Sequence, residues 1–119
     1  MEGRHPHTQI PLKRSIYHIL LALGDGEMHG YGIMQSLSEK TKGRERILPG
    51  TLYASLARMV DEQLVEERDP PEGESSGGPK RRYYGRTDLG RAVARAESER
   101  LRVLLRIAAD QDILSEPAS

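Results

Sequence analysis

The sequence predicts a mainly α-helical fold that contains one small β-hairpin. Apolar residues recur at helical spacing in four separate segments, and two short strand-like runs flank a stretch rich in Pro and Gly. The longest helical pattern comes last. At 119 residues the chain has the length of one domain with a modest core. We therefore expect a compact helical unit, a hairpin and a long C-terminal helix.

Composition excludes several classes of protein and of site. The chain has no Cys, so disulfides, zinc–thiolate sites and thiol catalysis are excluded. No apolar run approaches the roughly 18 residues of a membrane span, and no apolar signal region opens the chain, so we expect a cytoplasmic protein without a membrane partner. No catalytic pair, phosphate loop or metal-ligand spacing is present. We therefore expect no enzyme activity, no cofactor and no metal.

The charges are sorted into blocks, although 18 basic and 18 acidic residues give a net charge of zero. Residues 40–58 hold five basic residues against one acid, and residues 80–86 hold four basic residues and no acid. Between them, residues 66–79 hold five acids and one Arg. Each block alone is typical of a solvated surface run. Together, beside a helix of suitable size, the two basic blocks favour a polyanionic partner.

The first two segments are a polar arm and a helix. Residues 1–11, with Pro6 and Pro11, are predicted to form a flexible N-terminal arm. A first amphipathic helix is predicted from Leu12 to Leu23, and Gly24-Asp25-Gly26 ends it. Its apolar positions are Ile16, Ile19, Leu20 and Leu23.

A second helix is predicted to open at His29-Gly30-Tyr31-Gly32-Ile33 and to run to about Lys40. Each Gly in a helix costs roughly 1 kcal/mol relative to Ala, so the pair around Tyr31 predicts close backbone packing there. His29 has no partner at ligand or catalytic spacing and is interpreted as structural. Thr41-Lys42-Gly43-Arg44 makes a turn into the next helix, as in helix-turn-helix proteins.

The third helix is predicted over residues 49–62. Pro49 suits the first helical position, and Leu52, Leu56, Met59 and Val60 form one apolar stripe. The opposite face is small, hydroxylated and cationic: it carries Thr51, Ala54, Arg58 and Asp61, with Tyr53 and Ser55 on its flanks. Such a helix fits a nucleic-acid groove. An ordinary surface helix is the alternative.

A β-hairpin is predicted to follow the third helix. Leu64 to Arg68 forms one strand, residues 69–79 form a loop with three Pro and three Gly, and Lys80 to Arg86 forms the returning strand. A β-hairpin that follows the third helix of a helix-turn-helix unit is called a wing. Its acidic tip would repel phosphates, so contact is assigned to the basic residues of the returning strand, Lys80, Arg81, Arg82 and Arg86.

The last helix is predicted from Asp88 to about Ala109 or beyond, with Thr87 as its N-cap. It carries two adjacent apolar stripes, which one chain of this size cannot easily cover. This predicts a two-fold dimer, with a helix that only completes its own core as the alternative. The residues assigned to the dimer contact are Leu89, Val93, Ala96, Leu101, Val103, Leu104, Ile107 and Ala108. The predicted division is 12–87 for the winged helix-turn-helix domain, 88–114 for the dimerisation helix and 115–119 for a flexible tail.

The chain resembles the PadR family of bacterial transcriptional regulators, in its short subgroup with a single C-terminal helix. The resemblance covers roughly residues 12–107. It is carried by His29-Gly30-Tyr31-Gly32-Ile33, by Pro49-Gly50-Thr51-Leu52-Tyr53 with Leu56 and Met59, and by Arg82-Tyr83-Tyr84 with Thr87-Asp88-Leu89-Gly90-Arg91. It implies a DNA-binding winged helix-turn-helix, a homodimer formed through the C-terminal helix, and repression that a ligand or stress signal relieves.

Two residues depart from the family pattern. Leu48 stands where many relatives carry a capping Ser, so the third helix begins without an obvious side-chain cap. The last helix has no Trp, so the aromatic-lined drug pocket of some relatives is not implied.

The expected mechanism places the third helices of two copies in successive major grooves of a pseudo-palindromic double-stranded DNA operator, roughly 34 Å apart. A small-molecule effector at the dimer interface would alter that spacing. Two alternatives are an adaptor whose basic face binds an acidic protein, and an RNA-binding protein, although the stacking aromatics of common RNA modules are absent. The candidate DNA contacts are Thr51, Tyr53, Ser55, Arg58, Arg44, Arg46, Lys80, Arg81 and Arg82.

Overall fold

The computed structural model describes residues 6–71 and 81–115 and confirms the mainly α class with a small sheet. Two single 3₁₀ turns, Pro6–Thr8 and Leu23–Asp25, lie outside the regular elements. The helices are α1 (Arg14–Ala22), α2 (Gly30–Lys40), α3 (Pro49–Asp61) and α4 (Asp88–Asp110). The strands are β1 (Met28–His29), β2 (Val65–Arg68) and β3 (Tyr83–Arg86).

Local sequence signals set the starts of α3 and α4 as predicted, whereas α1 begins at Arg14 and not at Leu12. Pro49 is the first residue of α3, and Leu48 before it supplies no capping side chain. At the start of α4, the Thr87 Oγ1 atom accepts a hydrogen bond of 2.9 Å from the Gly90 N–H. The same hydroxyl lies 2.7 Å from the Gln63 carbonyl oxygen, to which it donates. Thr87 therefore ties the start of α4 to the end of α3.

The sheet has three antiparallel strands in the order β1-β3-β2, whereas the sequence predicted only the hairpin. Strand β1 has two residues, too short to show alternation, and pairs Met28 with Tyr84. The returning strand starts at Tyr83 instead of the predicted residue 80. Lys80 and most of the predicted wing tip lie outside the described residues.

The core lies between the first three helices, the start of α4 and the sheet. Each helix contributes one apolar stripe, and Leu64 and Val65 continue the core from α3 into β2. The largest fully buried side chains are Ile19, Leu20, Ile33, Leu52, Leu56, Met59, Leu64, Val65 and Val93. Val60, which the sequence placed in the α3 stripe, packs against the edge of this core and is partly buried.

Residues before α1 pack along α4. The Leu12 N–H donates to Oε1 of Glu97 at 3.4 Å, and Arg100 binds the same carboxylate with Nη2 2.7 Å from Oε2. The Arg100 hydrogen bond lowers the pKa of Glu97, against the effect of burial. Of the predicted flexible arm, residues 1–5 lie outside the described residues, and Pro6–Thr8 forms a 3₁₀ turn against α4. Residues 116–119 of the predicted tail are likewise not described.

We predict that Gly90→Ala will destabilise the fold by about 3 kcal/mol, because a Cβ atom at Gly90 would lie 2.1 Å from the Leu64 carbonyl oxygen. Thermal unfolding should show a melting temperature lower by roughly 10 °C or more. The matched control is Gly50→Ala, where nothing lies within 4 Å of the added Cβ. That change should be neutral or stabilising by up to about 1 kcal/mol. Equal stability of the two variants would contradict the close approach of α4 to Leu64.

Candidate nucleic-acid interface

The exposed face of α3 is the one that the sequence predicted. Leu52, Leu56 and Met59 point into the core, with 0–1% of their surface exposed. The exposed positions on the opposite side are Thr51, Ala54, Arg58 and Asp61. The face therefore consists mainly of small and hydroxylated side chains, so that a groove wall could approach the helix closely.

Arg58 is the long cationic side chain of this face. Its Nε atom donates to Oε2 of Glu62 at 3.3 Å, one turn further along the chain. Just over half of the Arg58 side chain stays exposed in this pair, so its attraction to Glu62 is screened by water and weak. The Arg58 guanidinium can therefore leave Glu62 and bind a stronger anionic partner at little cost in free energy.

Ser55, one of the predicted DNA contacts, faces the body of the protein. Its Oγ atom is 2.9 Å from Oγ of Ser15 on α1. Ser55 faces inward because it lies three residues after Leu52 and four before Met59, and residues at this spacing share one face of a helix. Leu52 and Met59 are both buried. The Ser55 hydroxyl thus has a hydrogen-bond partner within the chain, and the phosphate contact expected of Ser55 stays a prediction.

The loop before α3 presents Arg44 and Arg46 to solvent. It is held by Thr41, whose hydroxyl donates to the Leu37 carbonyl oxygen at 2.9 Å and accepts from the Glu45 N–H at 3.0 Å. Lys42 and Gly43 adopt positive φ angles of 54° and 80°, which reverse the chain. The two arginines therefore extend from a loop of fixed shape.

Glu45 lies between those arginines but turns inward to His18 on α1. Its Oε1 atom is 3.0 Å from Nε2 of His18 and 3.5 Å from Nε of Arg14. Burial lowers the pKa of His18, and Glu45 opposes that shift. Nδ1 of His18 is buried and has no hydrogen-bond partner among the described residues. Sequence reasoning assigned His18 no role, because no local pattern connects it to Glu45.

The wing supplies Arg81 and Arg82, both exposed, immediately before β3. Nη1 of Arg81 lies 2.9 Å from Nε2 of His29, and Nη1 of Arg82 lies 3.9 Å from Oε2 of Glu67. Arg86, expected to meet phosphates, instead donates to the Leu20 carbonyl oxygen at 3.0 Å. Through Nη1, Arg86 fastens β3 to α1, a contact that the sequence did not predict, and its phosphate contact stays a prediction.

A cleft lies between the start of α2, the exposed side of α3 and the wing. Its volume is about 430 Å³, and we call it the wing cleft. Gly30 lies beside Tyr53: a Cβ atom at Gly30 would lie 2.6 Å from the Tyr53 hydroxyl oxygen. The close packing predicted for the two glycines is therefore present at Gly30, against a side chain, whereas a Cβ atom at Gly32 would have its nearest neighbour at 3.5 Å. The residues that line the cleft are His29, Gly30, Tyr31, Tyr53, Arg81, Arg82 and Tyr84.

His29 holds this arrangement together as the N-cap of α2. Its Nδ1 atom accepts a hydrogen bond of 3.0 Å from the Gly32 N–H. Its ring also meets Tyr83 edge to face, with centroids 5.3 Å apart, and stacks at 6.5 Å on Tyr31. The structural role expected for His29 is therefore present, and the Arg81 contact adds a connection to the wing.

The apolar side chains of α4 are buried in its first half and exposed in its second half. Val93 and Ala96 lie in the interior of their own chain, with 0% and 9% exposed, and Leu89 packs against the core. Val93 therefore has no surface to offer a second copy, which corrects its assignment to the dimer contact. Beyond residue 100 the side chains face solvent: Val103, Leu104, Leu105 and Ile107 are each about half exposed, and Leu101 and Ala108 are partly buried.

Three helices followed by a β-hairpin, with the third helix exposed on one face, define a winged helix-turn-helix, a class that places this helix in the DNA major groove. The family model of the transcriptional regulator PadR-like family matches residues 19–96. The chain therefore belongs to the PadR-like family of transcriptional regulators, which are DNA-binding proteins and not enzymes. In the described part of the chain, no helix is both long and apolar enough to cross a membrane.

The chain is also similar to individual proteins. The chain is 37% identical over 90 residues to the transcriptional regulator Rv3488 of Mycobacterium tuberculosis, a match that covers 75% of this chain and 77% of that protein. It is 35% identical over 74 residues to an uncharacterized protein of Lysinibacillus sphaericus, covering 62% of this chain and 65% of that one. Bacillus subtilis PadR shares the fold, with a TM-score of 0.57 and 22% identity over 92% of this chain and 52% of that one.

The His18 contact predicts a pH dependence of folding stability. Because the pKa of His18 is lower in the folded protein than its ordinary value of 6.5, the unfolded chain takes up a proton first as the pH falls. The free energy of unfolding should therefore decrease from pH 6.5 down through the lower folded pKa. Denaturant titrations of wild type and His18→Gln between pH 5 and 8 would measure it. The variant should have the flatter profile, and identical slopes would contradict the buried neutral imidazole.

Proposed function

We propose that this regulator is a homodimeric repressor that binds a pseudo-palindromic DNA operator. The observation that carries the proposal is the surface around α3. Thr51 and Arg58 occupy the exposed face of the helix, and exposed arginines flank it on two sides, Arg44 and Arg46 from the preceding loop and Arg81 and Arg82 from the wing. A helix that reads bases between two sets of phosphate contacts requires this arrangement.

The charges of this surface explain how a chain of zero net charge can bind a polyanion. Three acids near the arginines are paired: Glu45 with His18, Glu62 with Arg58 and Glu67 with Arg82. Because salt screens charges beyond about 10 Å, the local cationic side chains decide phosphate binding more than the distant acids do. In this model Arg58 and Tyr53 reach base edges or phosphates, and Thr51 binds phosphate.

The dimer is proposed to form through the outer half of α4. Leu104 and Ile107 are exposed by 50% and 48%, and Val103 by 55%, on a helix whose inner half is already covered by its own domain. Contiguous apolar side chains of this kind are typical of a helix that packs on a second copy.

The support from relatives concerns DNA binding and not the dimer. The structure of Bacillus subtilis PadR, which shares the fold, was determined in complex with operator DNA.

Repression would follow from occupation of the operator, and relief from a change in the distance between the two copies of α3. A small molecule at the α4 interface that favours a different angle between the copies would act in this way, in the cytoplasm. The alternative is an adaptor that binds an acidic protein through the same arginines. An adaptor does not require a fixed distance between the α3 helices of two copies.

Sequence-specific DNA binding is tested by selecting bound fragments from genomic DNA and footprinting them. Two protected half-sites are expected, with centres about 34 Å apart or a multiple of that distance. Arg58→Ala should then weaken binding about 5- to 100-fold, as for the loss of one good base contact. The control is Arg91→Ala, which removes an exposed Arg from α4. The absence of any protected sequence at low salt would reject the proposal in favour of the adaptor.

We predict that Leu104→Glu will convert the dimer into a folded monomer. The side chain is half exposed and outside the core, so the single chain should keep its fold, while a carboxylate in an apolar interface costs several kcal/mol. Sedimentation equilibrium would measure the mass. The matched control is Leu48→Glu, which changes a 72% exposed Leu outside α4 and should leave the mass unaltered. A Leu104→Glu protein that remains a dimer would place the interface elsewhere.

A further inference from the structure

One exposed apolar side chain of the helix-turn-helix is not explained by the core or by the proposed dimer. Leu48, immediately before α3, is 72% exposed, more than any other large apolar side chain that the structure describes in residues 12–62. Most other exposed apolar side chains belong to the outer half of α4 or follow it, where a second copy is proposed to cover them. Leu48 lies instead at the start of the helix that is proposed to read DNA.

Leu48 takes the place of a capping residue at the N-terminus of α3. Its backbone is extended, with φ −75° and ψ 149°, as an N-cap residue requires. A Ser, Thr or Asp in this position would accept a hydrogen bond from the Gly50 or Thr51 N–H, whereas Leu supplies no cap. The neighbouring Ile47 already extends into the core, with 8% exposed. Leu48 therefore contributes neither a cap nor a buried side chain, and such departures from local rules are expected at functional positions.

The charges around Leu48 indicate what kind of partner covers it. Arg44 and Arg46 in the preceding loop are exposed, and so is Arg58 on α3. Glu45, which lies between the two loop arginines, is paired with His18 at 3.0 Å. A partner that covers Leu48 also meets these cations, so it combines anionic groups with an apolar one. A DNA duplex has both features, because thymine presents a C5-methyl group in the major groove between the two phosphate backbones.

We propose that Leu48 recognises thymine through its C5-methyl group. This inference rests on the proposed function and names one base of the operator. In helix-turn-helix proteins the N-terminal residues of the recognition helix contact base edges, and Leu48 adjoins Pro49, the first residue of α3. A Leu side chain has no hydrogen-bonding group, so it selects the methyl group by shape and by the exclusion of water. Two copies contact one thymine in each half-site, and uracil, which lacks the methyl group, is not recognised in this way.

Deoxyuridine in place of thymidine removes only this methyl group from the DNA. On a duplex chosen by the selection described above, the substitution at one position of both half-sites should weaken wild-type binding about fourfold for each half-site, measured by fluorescence anisotropy. Leu48→Ala should bind the thymine duplex more weakly and no longer distinguish the two bases at that position. The matched control is Leu21→Ala, which shortens an exposed Leu of α1 and should respond to deoxyuridine as wild type does.

Leu48→Ser separates a role in DNA binding from a role in folding. The Ser hydroxyl can cap α3, so the melting temperature should rise by roughly 2–6 °C. The same variant lacks the apolar side chain, so its affinity for the thymine duplex should fall as that of Leu48→Ala does. A rise in stability together with a loss of affinity cannot result from a damaged fold.

The inference is overturned if no thymine position distinguishes wild type from Leu48→Ala, or if Leu48→Ser binds the thymine duplex as wild type does. Operator binding, measured on the same duplex, would then stand without this contact. A wild-type protein that binds no duplex at low salt would overturn both this inference and the proposed function.

Discussion

Burial of one stripe of α3 determines the orientation of every side chain of this helix that is proposed to touch DNA. Leu52, Leu56 and Met59 are fully buried, and each such side chain contributes about 1.5–3 kcal/mol relative to exposure. The polar interactions on the same helix are weaker, since an exposed pair such as Arg58 with Glu62 contributes about 0–1 kcal/mol. The helix therefore cannot rotate to improve a surface contact. The exposed face is what remains after the apolar positions are buried, and the DNA-reading surface is in this sense fixed by the core.

The wing depends on a second set of contacts, and these explain why only part of its positive charge is available to a ligand. At the base of the wing, Arg86 donates to the Leu20 carbonyl oxygen, and Thr87 bonds the Gln63 carbonyl oxygen. These bonds join the base to α1 and to the end of α3. Arg81 and Arg82 lie at the opposite end of β3, beyond the reach of these backbone acceptors, and remain exposed. The basic block of residues 80–86 thus contains both fastening residues and residues that face solvent.

The features that the sequence predicted are those set by neighbours along the chain. The α3 stripe, Pro49 at its start and the Thr87 cap all follow from spacing within one or two turns. The contacts that the sequence did not predict join residues that are distant along the chain. Ser55 meets Ser15, Arg86 meets Leu20, and Val93 is covered by its own domain. Strand β1 exists because β3 lies beside it, and a two-residue segment carries no periodic signal of its own. Local chemistry predicts faces and caps, but tertiary packing decides which polar and apolar side chains remain at the surface.

The position of Gly90 gives the proposed regulation a structural route. The start of α4 approaches Leu64 so closely that a Cβ atom at Gly90 would meet the Leu64 carbonyl oxygen, and Leu64 lies three residues after the end of α3. The same helix then continues without interruption to Asp110 and carries the exposed apolar side chains proposed for the dimer. Protein interiors are close-packed and have little free volume. The contact between Gly90 and Leu64 therefore cannot absorb a displacement of α4 and passes it on to the residues that follow α3. A change in the angle between the two copies of α4 would therefore move each α3 together with its own α4. In the proposed dimer, the spacing of the two α3 helices would follow from the angle between the copies of α4, and a ligand that favours one angle would need no direct contact with the proposed DNA-binding surface.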